Sequence, residues 1–483
     1  MWYHYLPKER AKTINKEIDD SKIESIKIKK QNKQEKKALK ILKKQENITA
    51  KISKQTSKKI DDSDMKIMDW IKLDNAALIY PSSASEKWNF VYRVSTYLDQ
   101  DIDKDILQKA LNEVMPRFPH FNVCLRRGFF WYYFQSLSFY PEVQEEKFFP
   151  CRIMELSPRK HVFRVLYYKN KLSFEAFHSL SDGFGALMFI MNLLSAYYTI
   201  KGEEISLKDF AIDYHDKPSL SELEDPFANV ADKKNVRPRK EKRGRRLFGT
   251  PLESGKLGVI TGIMSLKNVK ECSKAIGISI TELIISAMYK AMSQSEAPFL
   301  VKRTPLKISV PINARAFFPS NTTRNFSSYI NLELLPEQES LPLEEMAKVI
   351  KEKMKVITKD FVLANINKNV KDQNNFAIRI IPLPLKNLFL KFSYKYVGEG
   401  LQSTVFSNLG QVPVPKDLLP HIQRMDAILG ASKYNPTVLS GMTVGDTMTL
   451  TFSSTIVETE FQKNFFRILS SLGIKIVIDT NLV

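Results

Sequence analysis

The sequence predicts an α/β protein of two lobes with similar build. Two observations carry this prediction. Stretches of apolar alternation at period two interleave with stretches of helical spacing, and they do so in both halves of the chain. Between the halves lies a basic, polar stretch, residues 232–246, punctuated by Pro238 and Gly244 as a linker or surface crossover would be. At 483 residues the chain has the length for two ordinary domains or one large bilobed one. Its composition divides it into a basic arm over residues 1–64, a first lobe over 65–231, a basic crossover over 232–250 and a second lobe over 251–483.

The arm carries Lys-rich runs, and its apolar residues (Ile23, Ile26, Leu39, Leu42, Ile48) are too sparse for a stripe. It reads as a disordered or loosely helical solvated segment that an anionic membrane or an acidic protein would attract. From Met65 onward aromatics and aliphatics become regular. Residues 90–98 read as a strand. A helix opened by Asp103 follows, with Ile106, Leu107, Ala110, Leu111 and Val114 on one face and Pro116 at its end. Residues 161–168 and 171–177 form a hairpin turned at Asn170, whose second strand runs into His178, and a buried apolar helix starts near Gly183. The aromatic run Phe129–Phe134 reads as a buried strand. After the crossover come a strand near 258–266, a helix near 269–275, and a second helix whose Ser279 and Glu282 have capping-box spacing. Strands follow near 307–310, 328–335 and 402–407. A hairpin turns at Gly445-Asp446, and a last helix with Phe461, Phe465, Ile468 and Leu472 on one face stops at Gly473.

A formal charge of +20 points to a polyanionic partner only if the charge is spread over a surface. It is not. Residues 1–60 hold 18 Lys and Arg against 7 Asp and Glu, and residues 232–246 hold 9 against 2, which leaves +2 for the remainder. A general nucleic-acid-binding surface is therefore not supported, and no nucleic-acid partner is expected. The cysteines, Cys124, Cys151 and Cys272, are odd in number and far apart, as idle thiols of a reducing cytoplasm are, and no Cys/His cluster suggests a metal. The longest apolar stretch, Leu187 to Ile200, is interrupted by Asn192 and Ser195 and is short for a bilayer span, so a soluble, cytoplasmic protein is expected.

The stretch that carries chemistry is Phe177-His178-Ser179-Leu180-Ser181-Asp182-Gly183. A histidine leaves a strand, and an acid and a glycine follow at the start of a helix. Such a turn presents an imidazole, with Asp182 fixing the turn and Gly183 permitting unusual dihedrals. An imidazole that titrates near neutrality suits general-base work. His120 and His215 have no such setting and read as ordinary histidines.

This motif resembles the HxxxDG signature of the CoA-dependent acyltransferases, the superfamily of chloramphenicol acetyltransferase, the plant BAHD enzymes, peptide-synthetase condensation domains and the alcohol acetyltransferases. Many members carry a second histidine just before it; here Phe177 takes that place. Three further stretches resemble the superfamily in the same order. Arg117-Phe118-Pro119-His120-Phe121 is similar to its Arg-x-Pro turn, Val310-Pro311-Ile312-Asn313-Ala314-Arg315 to the strand end that supplies a buried arginine, and Ser407-Asn408-Leu409-Gly410 to the late motif of the alcohol acetyltransferase branch. The likeness spans residues 65–483.

The resemblance implies two chloramphenicol acetyltransferase-like lobes, each a mixed sheet with flanking helices, and an active-site channel between them. It implies that His178 deprotonates an acceptor, with Asp182, Gly183 and Arg315 supporting the turn and Asp182 paired with Arg315. Ser407 and Asn408, with Ser403 and Thr404 behind them, are the candidates for stabilising the oxyanion. The expected activity is transfer of an acyl group, acetyl first, from acyl-CoA as co-substrate to a small alcohol, with no permanently bound cofactor. Two alternatives stand beside it: condensation-like transfer from an acyl-carrier protein to an alcohol or amine, and a catalytically degenerate binding module. The 232–246 cluster reads as a solvated crossover before a site for CoA phosphates.

Overall fold

Alternation along the strands builds two large sheets, each of which buries one face under helices, beside a small three-stranded one. The structure is a computed structural model describing residues 69–482 except 86–87, 209, 233–240 and 296–303. The basic arm and most of the basic cluster of the crossover thus lie outside the described residues. The strands in chain order are β1 (Trp70–Lys72), β2 (Val91–Leu98), β3 (Val123–Arg127), β4 (Tyr132–Ser136), β5 (Gln144–Glu145), β6 (Phe163–Tyr168), β7 (Lys171–Phe177), β8 (Gly258–Ser265), β9 (Leu306–Asn313), β10 (Ser327–Leu334), β11 (Thr404–Gln411), β12 (Ile422–Leu429), β13 (Thr437–Val444), β14 (Thr447–Ser454) and β15 (Val477–Thr480).

The first sheet has the order β12-β2-β7-β6-β5 and is antiparallel except for the β5–β6 pair. Opposite Tyr92, Val94 and Thr96 of β2 stand Ala176, Phe174 and Leu172 of β7, which sets one apolar face. Helices Lys104–Val114 and Gly183–Ile200 pack together over this core. The first is capped by Asp103, whose carboxylate accepts from the backbone of Asp105 and Ile106. The second is long and apolar enough to cross a membrane by length and composition, but it is mostly buried inside the protein, with Phe189 against Phe121 and Phe174. It is a core helix.

The second sheet has the order β10-β9-β11-β13-β14-β8-β15, with β11 parallel to both neighbours. Helices Ile280–Ser295 and Glu460–Ser471 cover it, burying Leu283, Ile284, Met288, Phe452, Phe465 and Leu469 in a second core. The capping box is present: the Ser279 backbone donates to Glu282 and the Glu282 backbone donates to Ser279 Oγ. The chain is thus mixed α/β with two mixed sheets and flanking helices.

Three features depart from the sequence expectation. The strand β12, from the second half of the chain, leaves its own sheet and pairs antiparallel with β2, Met425 opposite Thr96 and Ala427 opposite Val94. Nothing local in the alternation of Ile422–Leu429 says which sheet it joins. Second, the aromatic run is not a buried strand. Strand β4 begins only at Tyr132, and Phe129 and Phe130 sit exposed in the loop before it, because β4 belongs to a small three-stranded sheet, β1-β4-β3, at the surface. Third, the second half contains helices Leu343–Met354, Lys359–Gln373 and Leu383–Ser393, which the strand-led reading leaves out.

Candidate active site

His178 follows directly on β7, and its backbone N–H donates to the Phe90 carbonyl beside β2, so the strand pairing continues up to the turn that His178 opens. The ring is half-buried, stacked on Tyr80 with centroids 4.9 Å apart and tilted against Tyr92 at 5.1 Å. Burial between these rings lowers the imidazole pKa, a shift opposed by hydrogen bonding and by the nearby Asp182 charge. A neutral imidazole is therefore the resting form near pH 7.

Which nitrogen is free follows from Asn325. Its amide Nδ2 faces two acceptors, Asp74 Oδ2 at 3.2 Å and the Ser179 carbonyl at 3.4 Å. Its Oδ1 must then face His178, and it lies 3.2 Å from Nδ1. An amide oxygen is only an acceptor, so Nδ1 carries the proton and Nε2 keeps its lone pair. Asp74 is itself fixed by the Ala77 N–H at 2.8 Å and by Arg324, 3.6 Å away. Burial pushes the Asp74 carboxyl up to about 6.

Asp182 does not touch the ring. Its Oδ1 caps helix Gly183–Ile200 through the Gly185 N–H, and its Oδ2 accepts from Arg315 Nη1 at 2.7 Å and from the Phe326 N–H at 2.9 Å. The remaining Arg315 donors bind the carbonyls of Thr322 and Arg324, and the guanidinium lies over Phe184. The ion pair expected between these positions is thus present, and it joins the His178 turn to the segment Thr322–Phe326 of the second half. That segment is buried throughout.

Gly183 requires a correction. Its φ is not positive, so it serves no left-handed turn. Its lack of a side chain matters because a Cβ there would come within 2.3 Å of the Leu409 side chain. At Gly185 the crowding is more severe, 1.9 Å from the Thr323 carbonyl oxygen. Both glycines let the second half approach the turn.

The four oxyanion candidates separate. Thr404 Oγ1 donates to the Thr437 carbonyl, and Ser403 Oγ accepts from the Lys307 N–H, both buried within the sheet. These two hydroxyls hold strands and leave the site. Along β11, Phe406 packs into the second core and Asn408 Nδ2 donates to Thr281, while Val405 and Leu409 pack toward the first core. Ser407 therefore points with Val405 and Leu409 toward the side that carries His178. Its hydroxyl has no protein partner among the described residues, and it is the candidate the geometry retains. His120 is a buried histidine bonded to Thr323, its pKa pushed down to about 3 by burial and by Arg324 and Arg117, and His215 is an exposed one bonded to Asp213. Arg117 grips Glu222 with two bonds and is structural.

Sequence reasoning missed Asn325, Asp74, Tyr80 and Tyr92. Tyr92 lies inside a strand that reads only as strand. Asp74 lies just after β1 and Tyr80 in a short helix, Ile79–Ser83, that precedes β2. Asn325 falls in a polar run between two strands, with no motif to single it out.

Two sheets with a histidine at their junction, reached by residues from both halves, define a known two-lobed architecture. The chain has the fold of the chloramphenicol acetyltransferase-like acyltransferases and condensation domains. Among solved structures, TRI101 of F. sporotrichioides in complex with coenzyme A and T-2 aligns with a TM-score of 0.55 at 12% identity, covering 85% of this chain and 100% of that one. TRI101 of F. graminearum with ethyl coenzyme A gives 0.57 at 11%, covering 84% and 99%. The first condensation domain of the CDA synthetase gives 0.53 at 12%, covering 83% and 95%. By sequence, no family model and no curated protein matches the chain.

Proposed function

We propose that the protein is an acyltransferase that moves an acyl group, acetyl or longer, from acyl-CoA to the hydroxyl of an alcohol. The observation that carries this reading is the His178 ring, its Nδ1 bonded to the Asn325 amide oxygen from the second half and its Nε2 without a partner among the described residues. In the reaction, Nε2 takes the proton from the acceptor hydroxyl as its oxygen attacks the thioester carbonyl. The tetrahedral oxyanion is stabilised by the Ser407 hydroxyl. Collapse breaks the carbon–sulfur bond, and the departing thiolate takes the proton back from His178. The products are an ester and free CoA, and no acyl-enzyme is needed because a thioester is already activated. Asp182, bound elsewhere, acts on the turn and not on the proton. The solved complexes of TRI101 with coenzyme A support CoA as the donor by likeness of fold.

The test is thiol release from a panel of acyl-CoAs with alcohols and amines. Replacement of His178 by Ala is expected to lower turnover by about 10²- to 10⁴-fold with the melting temperature unchanged. Wild-type turnover in that variant would end the general-base assignment. Activity only with carrier-bound thioesters would move the chain to the condensation-like reading.

A further inference from the structure

Helix Leu383–Ser393 is turned inside out. Its buried side carries Leu383 and Lys386, and Lys386 Nζ donates to the Phe130 carbonyl and lies 3.5 Å from the centre of the Trp131 ring. Its outward side carries Leu385, Leu388, Phe389 and Phe392, which are 54–63% exposed. Their spacing, i, i+3, i+4 and i+7, makes one stripe along the helix. Exposed Tyr396 extends the stripe by stacking on Phe392, and exposed Phe129 lies at the start of the helix, where the Leu383 N–H donates to its carbonyl. A soluble surface does not gather large apolar side chains in this way without a partner.

Charge identifies the partner. Residues 376–398 contain Arg379, Lys386, Lys391 and Lys395 and no Asp or Glu. Lys391 and Lys395 lie along one edge of the stripe, and Arg243 and Arg246 come close to Tyr396 and Tyr434 beside them. A convex apolar stripe edged by cations fits the headgroup and acyl boundary of an anionic bilayer, which needs no matching groove, whereas a protein partner does. The chain's own residues 1–60, with 18 Lys and Arg against 7 Asp and Glu, are a poor complement to this cationic edge.

We propose that this face docks the protein on an anionic lipid surface and that the acceptor reaches His178 from that side. The second part rests on the acyl-transfer reading. A pocket of about 570 Å³, lined by Leu388, Phe392, Lys391, Lys395, Trp88 and Tyr434, opens beside the stripe. From Trp88 a series of rings leads inward: Tyr394 at 6.2 Å, then Phe90 at 5.3 Å, Tyr80 at 5.1 Å and the His178 imidazole at 4.9 Å. These rings are packed against one another between the pocket and His178, and an acceptor passing along them would be a lipophilic alcohol rather than a small polar one.

The experiment is co-sedimentation of the full chain with vesicles of phosphatidylcholine alone and of phosphatidylcholine mixed with phosphatidylglycerol. Binding is expected on the mixed vesicles, weakening as salt rises. The double variant Phe389→Asp/Phe392→Asp is expected to bind at least about tenfold more weakly, with an unchanged melting temperature because both side chains are exposed. Should that variant fail to fold, Lys391→Glu/Lys395→Glu takes its place and must weaken binding to the mixed vesicles. His178→Ala must bind vesicles as the wild type does, so a failed catalytic assignment leaves the docking result standing. No vesicle binding by the wild type overturns the proposal, as does undiminished binding by the Asp variant. Capture of an acidic carrier protein through this face in place of vesicles also overturns it.

Discussion

Asn325 decides which nitrogen of His178 carries the proton, and under the proposed base role its effect is open to measurement. Replacing it with Leu keeps the volume and removes the acceptor, so the ring is free to carry its proton on either nitrogen. A buried hydrogen bond lost at this point corresponds to about 1–3 kcal/mol, or a fall of roughly 5- to 160-fold in kcat, with KM little changed. An Asn325→Leu enzyme with wild-type kcat would remove it from the positioning machinery. The pH profile tests the ring itself. Burial lowers the His178 pKa, so its imidazole is deprotonated above a value that lies under the ordinary histidine value of about 6.5. With His178 as the proposed base, acyl transfer is expected to hold as pH falls through about 6.5 and to decline only below it, as the imidazole takes up its proton in the folded protein. An acid limb centred above about 6.5 contradicts the buried setting. Of these residues the sequence exposes His178 alone. Its signal is local, a strand end followed at fixed distance by Asp and Gly. Asn325 is 147 positions away, and only the close approach of the second half brings its amide to the ring.

At the scale of elements, the Asp182–Arg315 pair ties the start of helix Gly183–Ile200 to the buried segment before β10. Both side chains are nearly buried, and each is satisfied by backbone groups as well as by the other. Removing one charge strands its partner, so Arg315→Ala is expected to lower stability by about 3–5 kcal/mol, read as a shift of the denaturant midpoint. Arg315→Lys restores charge but not the donors to the Thr322 and Arg324 carbonyls, and is expected to fall between wild type and Ala. Equal stability of all three proteins would show the pair to be energetically idle. Elements of this kind are the most legible part of the chain. Asp103, the Ser279–Glu282 box, the Gly445-Asp446 turn and Gly473 each mark an end by short-range chemistry, and each lies where the marker stands. The oxyanion candidates show the limit of the same method. Ser403, Thr404, Ser407 and Asn408 are equally polar in sequence, and only the neighbouring strands and the helix at Thr281 separate the ones that hold the sheet from the one that faces the site.

At the scale of the molecule, β12 binds the two halves into one folding unit. The sequence has a second lobe starting after the crossover, yet the strand that completes the first sheet comes from residues 422–429. Without it, β2 becomes an edge strand, its backbone unpaired along the whole length that now faces Ile422–Leu429. Val91, Val94 and Leu98 are fully buried apolar residues on that strand, and an exposed edge of this composition invites pairing with other chains. A fragment ending near residue 231 is therefore expected to aggregate, and addition of a fragment covering residues 251–483 during refolding is expected to rescue it. The intact chain is expected to unfold in calorimetry as one transition over the described body, because neither core closes without the other half: the first lacks its edge strand, and the buried Thr322–Phe326 segment lacks the Asp182 carboxylate that accepts its Phe326 N–H. Two well-separated transitions, or a soluble first-half fragment with native near-ultraviolet dichroism, would show the strand exchange to be dispensable. The exchange also joins the sheet that ends at His178 to the half of the chain that carries Ser407.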